Sequence, residues 1–136
     1  MKFMVILLAI FACVSADDWT PKKSREIREI RQACMETISL TESQKKKIEN
    51  FDFPNDEAVR KYIVCTLEKM EICCTSHGFH VNRLIKQTNK DLGSEQGKDV
   101  VEECLRNNPK GDNEIEIYAH DVYTCLIDEV TKIIES

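Results

Sequence analysis

The sequence predicts an all-α protein with a single domain stapled by disulfides, and three observations lead to this prediction. Apolar residues recur at steps of three or four along most of the chain, which is the period of an amphipathic helix. Glycine is rare, with 4 residues in 136, and no segment shows the clear apolar–polar alternation of a half-buried strand. Six of the 7 cysteines lie beyond the apolar N-terminus, and an even number is typical of an oxidised framework. We expect about six helices joined by short loops.

The N-terminal segment has the pattern of a secretory signal peptide. Lys2 precedes an apolar stretch over residues 3–14, and two small residues follow it before the predicted cleavage site. A membrane-spanning helix needs roughly 20 apolar residues, so a retained anchor is the weaker interpretation. We therefore expect residues 1–16 to be removed, which leaves a secreted, extracellular domain of residues 17–136 without a transmembrane segment.

The charge balance argues against nucleic acid as a partner. The chain has 19 basic and 24 acidic residues, so loss of Lys2 with the signal peptide leaves 18 basic residues and a net charge of −6. Binding to phosphates uses a concentrated basic surface, whereas the basic residues here are interleaved with acidic ones. The one dense basic run, Lys45–Lys47, is typical of a solvated helix face.

Capping signals mark the first two helices. Thr20 is a candidate N-cap, with Pro21 at the first helical position. Thr41 and Gln44 have the spacing of a capping box ahead of a second, short helix over residues 45–51. The apolar side of the first helix consists of Ile27, Ile30, Cys34 and Ile38.

Three more helices follow. Asn55 or Asp56 can cap a third helix, which ends before the irregular segment 73–78. A short fourth helix should cover residues 80–87, and the fifth should follow a turn bracketed by the glycines of segment 93–97. The apolar residues of the third and fifth helices are Ala58, Tyr62, Cys65, Met70, Val100, Val101, Cys104 and Leu105.

The last helix has the clearest periodicity and follows a strong turn signal at residues 107–113. His120 lies at the edge of its apolar side, where it is either an ordinary surface residue or a pH-sensitive group. The apolar side consists of Ile115, Tyr118, Ala119, Val122, Tyr123, Cys125, Leu126, Val130, Ile133 and Ile134.

Two strings and the spacing of the cysteines resemble a known family. Tyr62–Met70 is similar to the stretch around the third cysteine of insect pheromone- and odorant-binding proteins, and Tyr118–Cys125 to the stretch that leads into their sixth. In this alignment Lys61 and Glu116 stand in the second and fifth cysteine positions, and the five gaps are 26, 3, 38, 11 and 8 residues long. The first, third, fourth and sixth positions are occupied by Cys34, Cys65, Cys104 and Cys125.

The resemblance implies a disulfide pattern. In the family the bridges join the first cysteine to the third, the second to the fifth and the fourth to the sixth. Both ends of one bridge are therefore replaced here, as in the "minus-C" subgroup, and the resemblance implies that Lys61 and Glu116 lie close together as an ion pair. The two remaining bridges implied are Cys34–Cys65 and Cys104–Cys125.

Cys73 and Cys74 are additional to the family pattern. A bond between adjacent cysteines is strained, so free thiols, an intermolecular bridge or a rearranged pairing are all open. Residues 73–77 are also similar to the Cys-Cys-x-x-His string of secreted phospholipases A2, but Gly78 stands where those enzymes have Asp, and a calcium loop is missing. His77 and His80 could contact one metal, yet a zinc site needs at least a third ligand. We expect no enzymatic activity, metal or cofactor.

The resemblance further implies that the helices enclose an apolar cavity for an odorant, a pheromone or a similar molecule. We predict a carrier that solubilises and transports this small hydrophobic ligand as a monomer or weak dimer, with a membrane receptor as a candidate partner for delivery. The alternative is a secreted signalling or venom protein whose apolar stripes form only core and receptor surface. The expected cavity walls, in which a tyrosine could orient the ligand, are Ile30, Tyr62, Leu84, Ile85, Val101, Leu105, Tyr118, Val122, Tyr123 and Ile133.

Overall fold

The structure, a computed structural model, describes residues 18–73 and 78–136. The predicted signal peptide, Cys74 and His77 lie outside these residues. The described chain forms an all-α domain, as predicted, and an isolated antiparallel bridge between Cys73 and Phe79 is its only extended pairing. Its six helices are α1 (Ser24–Thr37), α2 (Glu42–Glu49), α3 (Glu57–Lys69), α4 (Val81–Leu92), α5 (Gly97–Asn107) and α6 (Ile115–Glu135).

The start of α1 differs from the prediction. The helix begins at Ser24, and the segment around Pro21 is not helical. This segment is held instead by long-range contacts: the Trp19 indole N–H donates to the Met70 carbonyl oxygen over 2.9 Å. The Lys22 backbone exchanges two hydrogen bonds with the Gln87 side chain, at 2.7 and 3.1 Å. These tertiary contacts outweigh the local preference for a helix at Pro21.

The capping box predicted before α2 is confirmed. The Gln44 backbone N–H donates to Thr41 Oγ1 at 3.1 Å, and the Thr41 N–H donates to Gln44 Oε1 at 2.9 Å. With these donors satisfied, α2 begins three residues earlier than expected. Helix α4 runs beyond its predicted end at Gln87 and stops before Gly93, whose φ of 67° is the left-handed conformation common at helix ends.

The core is formed where α3 packs against α6 and α4 against α5. None of the described helices combines the length and apolarity needed to cross a membrane. The largest fully buried side chains are Tyr62, Ile63, Ile72, Val59, Val101 and Val122.

Two disulfides fasten the outer helices to this core, with the pairing that the resemblance implies. Cys34–Cys65 joins α1 to α3, and Cys104–Cys125 joins α5 to α6, with Cα–Cα distances of 5.9 and 5.8 Å. Cys73 is also disulfide-bonded, so the free-thiol interpretation is wrong for this residue. These covalent links prevent α1 from moving far from α3, and α5 from moving far from α6. All four helices are therefore kept around one interior.

Candidate functional site

A cavity of about 100 Å³ lies among α1, α3, α4 and α6. Helices α1, α4 and α6 contribute residues three or four positions apart, which lie on one helical face, and the end of α3 with the segment after it contributes the rest. The volume is below the roughly 300–1,000 Å³ of typical ligand pockets, so in this conformation it has room only for a small molecule or for one end of a longer one. The apolar lining residues are Ile27, Leu67, Met70, Ile72, Leu84, Leu126, Ile127 and Val130; the polar ones are Arg31, Thr66, Gln87, Thr88, Asp91 and Tyr123.

Three of the polar lining residues form hydrogen bonds within the protein. The Thr66 hydroxyl donates to the Tyr62 carbonyl oxygen at 3.0 Å, and the Thr88 hydroxyl donates to that of Leu84 at 2.8 Å. Gln87 is engaged with the Lys22 backbone on one side and with Asp91 on the other. Because these donors are satisfied, buried polar residues are compatible with a largely dry cavity.

The remaining polar groups, Arg31, Tyr123 and Asp91, have more hydrogen-bonding capacity. Arg31 Nη2 donates to the Tyr123 hydroxyl oxygen at 3.3 Å, and its guanidinium lies 4.9 Å from the centroid of the Phe51 ring. Asp91 Oδ1 accepts from Gln87 Nε2 at 3.1 Å.

The electrostatics at Asp91 are unusual for an exposed carboxylate. Although the side chain reaches solvent, the protein crowded around it removes enough water to raise the pKa of Asp91 above its ordinary value. The hydrogen bond from Gln87 and the positive charges of Arg31 and Lys90 oppose this effect without cancelling it. Asp91 is therefore a partly desolvated acceptor at the edge of the cavity.

A second, larger depression lies on the outer side of α1. It has a volume of about 360 Å³ and is formed by residues of α1, α2 and α3 together with Phe53. Arg31 lines both this groove and the inner cavity. The Arg31 side chain therefore stands between the two spaces.

The structure distributes the ten predicted wall residues over several environments. Leu84 and Tyr123 line the inner cavity, and Tyr62 lines the outer groove. Val101 and Val122 are completely buried in the core. The other five, which are partly buried and packed against the core, are Ile30, Ile85, Leu105, Tyr118 and Ile133. The contact of these ten residues with a ligand stays a prediction.

The polar part of the cavity was missed because apolar periodicity cannot reveal it. Gln87, Thr88 and Asp91 follow Leu84 at the helical spacing of one face, but their residue types indicate solvent. Thr66 is buried in the same way on α3. The spacing from Leu84 was the one signal that could have found them.

Lys61 forms its ion pair with Glu57 instead of with the predicted partner, Glu116. Lys61 Nζ lies 3.1 Å from Glu57 Oε1, one turn earlier on α3. The hydrogen bond and charge of Glu57 are the main causes that raise the pKa of Lys61, and the charge of Glu116 is the smallest contribution. The helix itself holds Glu57 within reach, whereas a pair with Glu116 must span the gap between α3 and α6.

Comparison with known proteins agrees with this architecture. The profile of the PBP/GOBP family matches residues 16–129. The chain is 24% identical over 107 residues to odorant-binding protein 22 of Aedes aegypti, covering 77% of this chain and 78% of that protein. It is 25% identical over 131 residues to general odorant-binding protein 99a of Drosophila melanogaster, covering 95% and 91%.

A solved structure shares the fold. The crystal structure of the Anopheles gambiae odorant-binding protein 22a superposes with a TM-score of 0.60 at 14% identity, over 76% of this chain and 98% of that one. The six helices, the two bridges and the match over most of the chain lead to one conclusion. The chain belongs to the PBP/GOBP family.

Proposed function

We propose that this protein is a secreted carrier that binds a small hydrophobic ligand in the cavity among α1, α3, α4 and α6 and transports it through an extracellular fluid. The observation that carries the proposal is the cavity itself: its interior is apolar, and its polar groups with remaining hydrogen-bonding capacity are Arg31, Tyr123 and Asp91. Relatives named as odorant-binding proteins support the same class of function.

The shared position of Arg31 explains how a longer ligand could be accommodated. The inner cavity of about 100 Å³ is small for a carrier, but the adjoining groove measures about 360 Å³. In this proposal Arg31, which lines both spaces, swings away from Tyr123 to join them into one of ordinary pocket size. Burial of about 300 Å² of apolar ligand surface at roughly 25 cal/mol per Å² gives a gross gain of about 7 kcal/mol before association costs, so we expect micromolar dissociation constants.

The test is binding of an apolar fluorescent probe, N-phenylnaphthylamine, to the protein and two tryptophan variants. Val130→Trp places a bulky ring at the cavity, whereas Ile134→Trp adds the same ring to a residue of the same helix that is 64% exposed and outside the cavity lining. We expect saturable binding to the wild type, at least about tenfold weaker binding to Val130→Trp, and unchanged binding to Ile134→Trp. Absence of saturable binding, or equal binding to both variants, would contradict the carrier function and favour a signalling protein.

The domain boundaries form part of the same proposal. Cleavage after Ala16 would release a chain that begins at Asp17. Intact mass and N-terminal sequencing of the protein secreted from insect cells test this point, and any other first residue would contradict it.

A further inference from the structure

Tyr123 has a hydrogen-bond donor that the protein does not use. Its hydroxyl oxygen accepts from Arg31 Nη2 at 3.3 Å, which leaves the phenolic proton free to donate. Among the described residues no acceptor takes this proton. Since Tyr123 lines the cavity, its hydroxyl group can donate a hydrogen bond to a ligand bound there.

Asp91 supplies the complementary acceptor. Gln87 Oε1 accepts from the Lys22 N–H, so the Gln87 amide is oriented with Nε2 toward the Lys22 carbonyl oxygen and toward Asp91 Oδ1. Within the described chain Asp91 Oδ2 accepts no hydrogen bond. The fixed Gln87 amide thus occupies one carboxylate oxygen and leaves the other as an unused, partly desolvated acceptor.

Donor and acceptor lie on the wall of the same small cavity, and this pairing discriminates between ligand head groups. A hydroxyl group offers both the acceptor that suits Tyr123 and the donor that suits Asp91. An aldehyde, ketone or ester only accepts, so it gives the partly desolvated Asp91 oxygen no hydrogen bond. A carboxylate is repelled by Asp91, although Arg31 and Lys90 contribute positive charge nearby.

We propose that this cavity selects apolar ligands that carry a terminal hydroxyl group, with Tyr123 as the donor and Asp91 as the acceptor that determine this specificity. The inference rests on the proposed carrier function.

The test compares n-octanol, octanal and octanoate, which share one chain length, as competitors of N-phenylnaphthylamine. For the wild type we expect n-octanol to bind about tenfold more tightly than octanal. This ratio corresponds to the low end of the range for a hydrogen bond to a charged group, because the site is exposed. In Asp91→Asn the Gln87 Nε2 should still hold the amide oxygen, so the new amide N–H groups face the ligand. This variant should lose the preference for n-octanol and gain affinity for octanal and octanoate.

Two further variants complete the design. Tyr123→Phe removes the donor and should weaken n-octanol severalfold, whereas Asp112→Asn, an exposed loop position outside the cavity, should leave all affinities unchanged. Circular dichroism verifies that each variant is folded; if Asp91→Asn is not, the competitor series on the wild type and Tyr123→Phe decides the question.

The outcomes separate this inference from the carrier function. If the wild type does not bind the probe, the carrier function itself fails. If it binds the probe but holds n-octanol and octanal equally well, or if Asp91→Asn leaves their ratio unchanged, the carrier function stands and the hydroxyl specificity is overturned.

Discussion

His120 Nε2 lies 2.9 Å from the main-chain carbonyl oxygen of Phe53, and this contact ties α6 to the loop between α2 and α3. A carbonyl oxygen only accepts, so Nε2 is the ring nitrogen that carries the proton. His120 is 6% exposed, so of the two interpretations of this residue the ordinary surface position is wrong. The ring Nδ1 is buried without a hydrogen-bond partner, 3.8 Å from Asp121 Oδ1.

Loss of this hydrogen bond should destabilise the fold. His120→Ala leaves the Phe53 carbonyl oxygen buried and unpaired, so we expect the free energy of unfolding to fall by about 1–3 kcal/mol. His120→Gln keeps an N–H donor and should recover part of the loss. Urea unfolding measures the effect, with His80→Ala at an exposed position as the control. Equal stabilities of the two alanine variants would show that the contact with Phe53 contributes nothing.

Gly97 is required by the close approach of α4 and α5. Its N–H donates to Asn89 Oδ1 at 2.7 Å, and a Cβ at this position would lie 2.8 Å from the Asn89 backbone nitrogen and 2.9 Å from the Ile85 carbonyl oxygen. Gly97→Ala should therefore lower the free energy of unfolding by about 1–3 kcal/mol, although alanine is the better helix former. The neighbouring exposed variant Lys98→Ala serves as the control in thermal unfolding. A stabilised Gly97→Ala protein would refute this packing argument.

A disulfide can test the alignment of Lys61 and Glu116 with the missing family cysteines. The charge of Glu116 contributes to the raised pKa of Lys61, and the helices that carry the two residues, α3 and α6, are in contact. The double change Lys61→Cys with Glu116→Cys should form a bridge spontaneously, add about 2–4 kcal/mol of stability and slow ligand exchange. Peptide mapping identifies the bridge, and each single change is the control. A folded double variant with two reduced thiols would require withdrawal of this part of the alignment.

The raised pKa of Asp91 predicts a pH dependence of stability. The folded state disfavours the charged carboxylate, so Asp91 destabilises the protein above its folded pKa, and this penalty disappears as the pH falls toward 3.8, the ordinary value. Asp91→Asn removes the penalty and should be more stable than the wild type at pH 7, with a difference that shrinks on acidification. Urea midpoints across this range measure the difference, with Asp112→Asn as the reference. A difference that grows on acidification would mean that the pKa of Asp91 is lowered instead.

Local features predicted the helices because helix formation depends on neighbours in the sequence. The step of three or four between apolar residues indicated six helices, and Thr41 with Gln44 correctly marked one capping box. The spacing of Cys34, Cys65, Cys104 and Cys125 supplied both bridges through the family resemblance. The amino-acid sequence by itself thus determined the fold class, the order of the helices and the covalent links between them.

Only the tertiary structure decided the helix start at Ser24, the partner of Lys61 and the lining of the cavity. The helix start depends on Trp19, which contacts Met70, 51 positions further along the chain. The lining of the cavity depends on Gln87 and Thr88. These polar residues can be buried because their donors are paired with backbone carbonyl oxygens and with Asp91. A periodic pattern shows which residues can face an interior. The residues that meet there, and the donors and acceptors left over for a ligand, depend on how the helices pack.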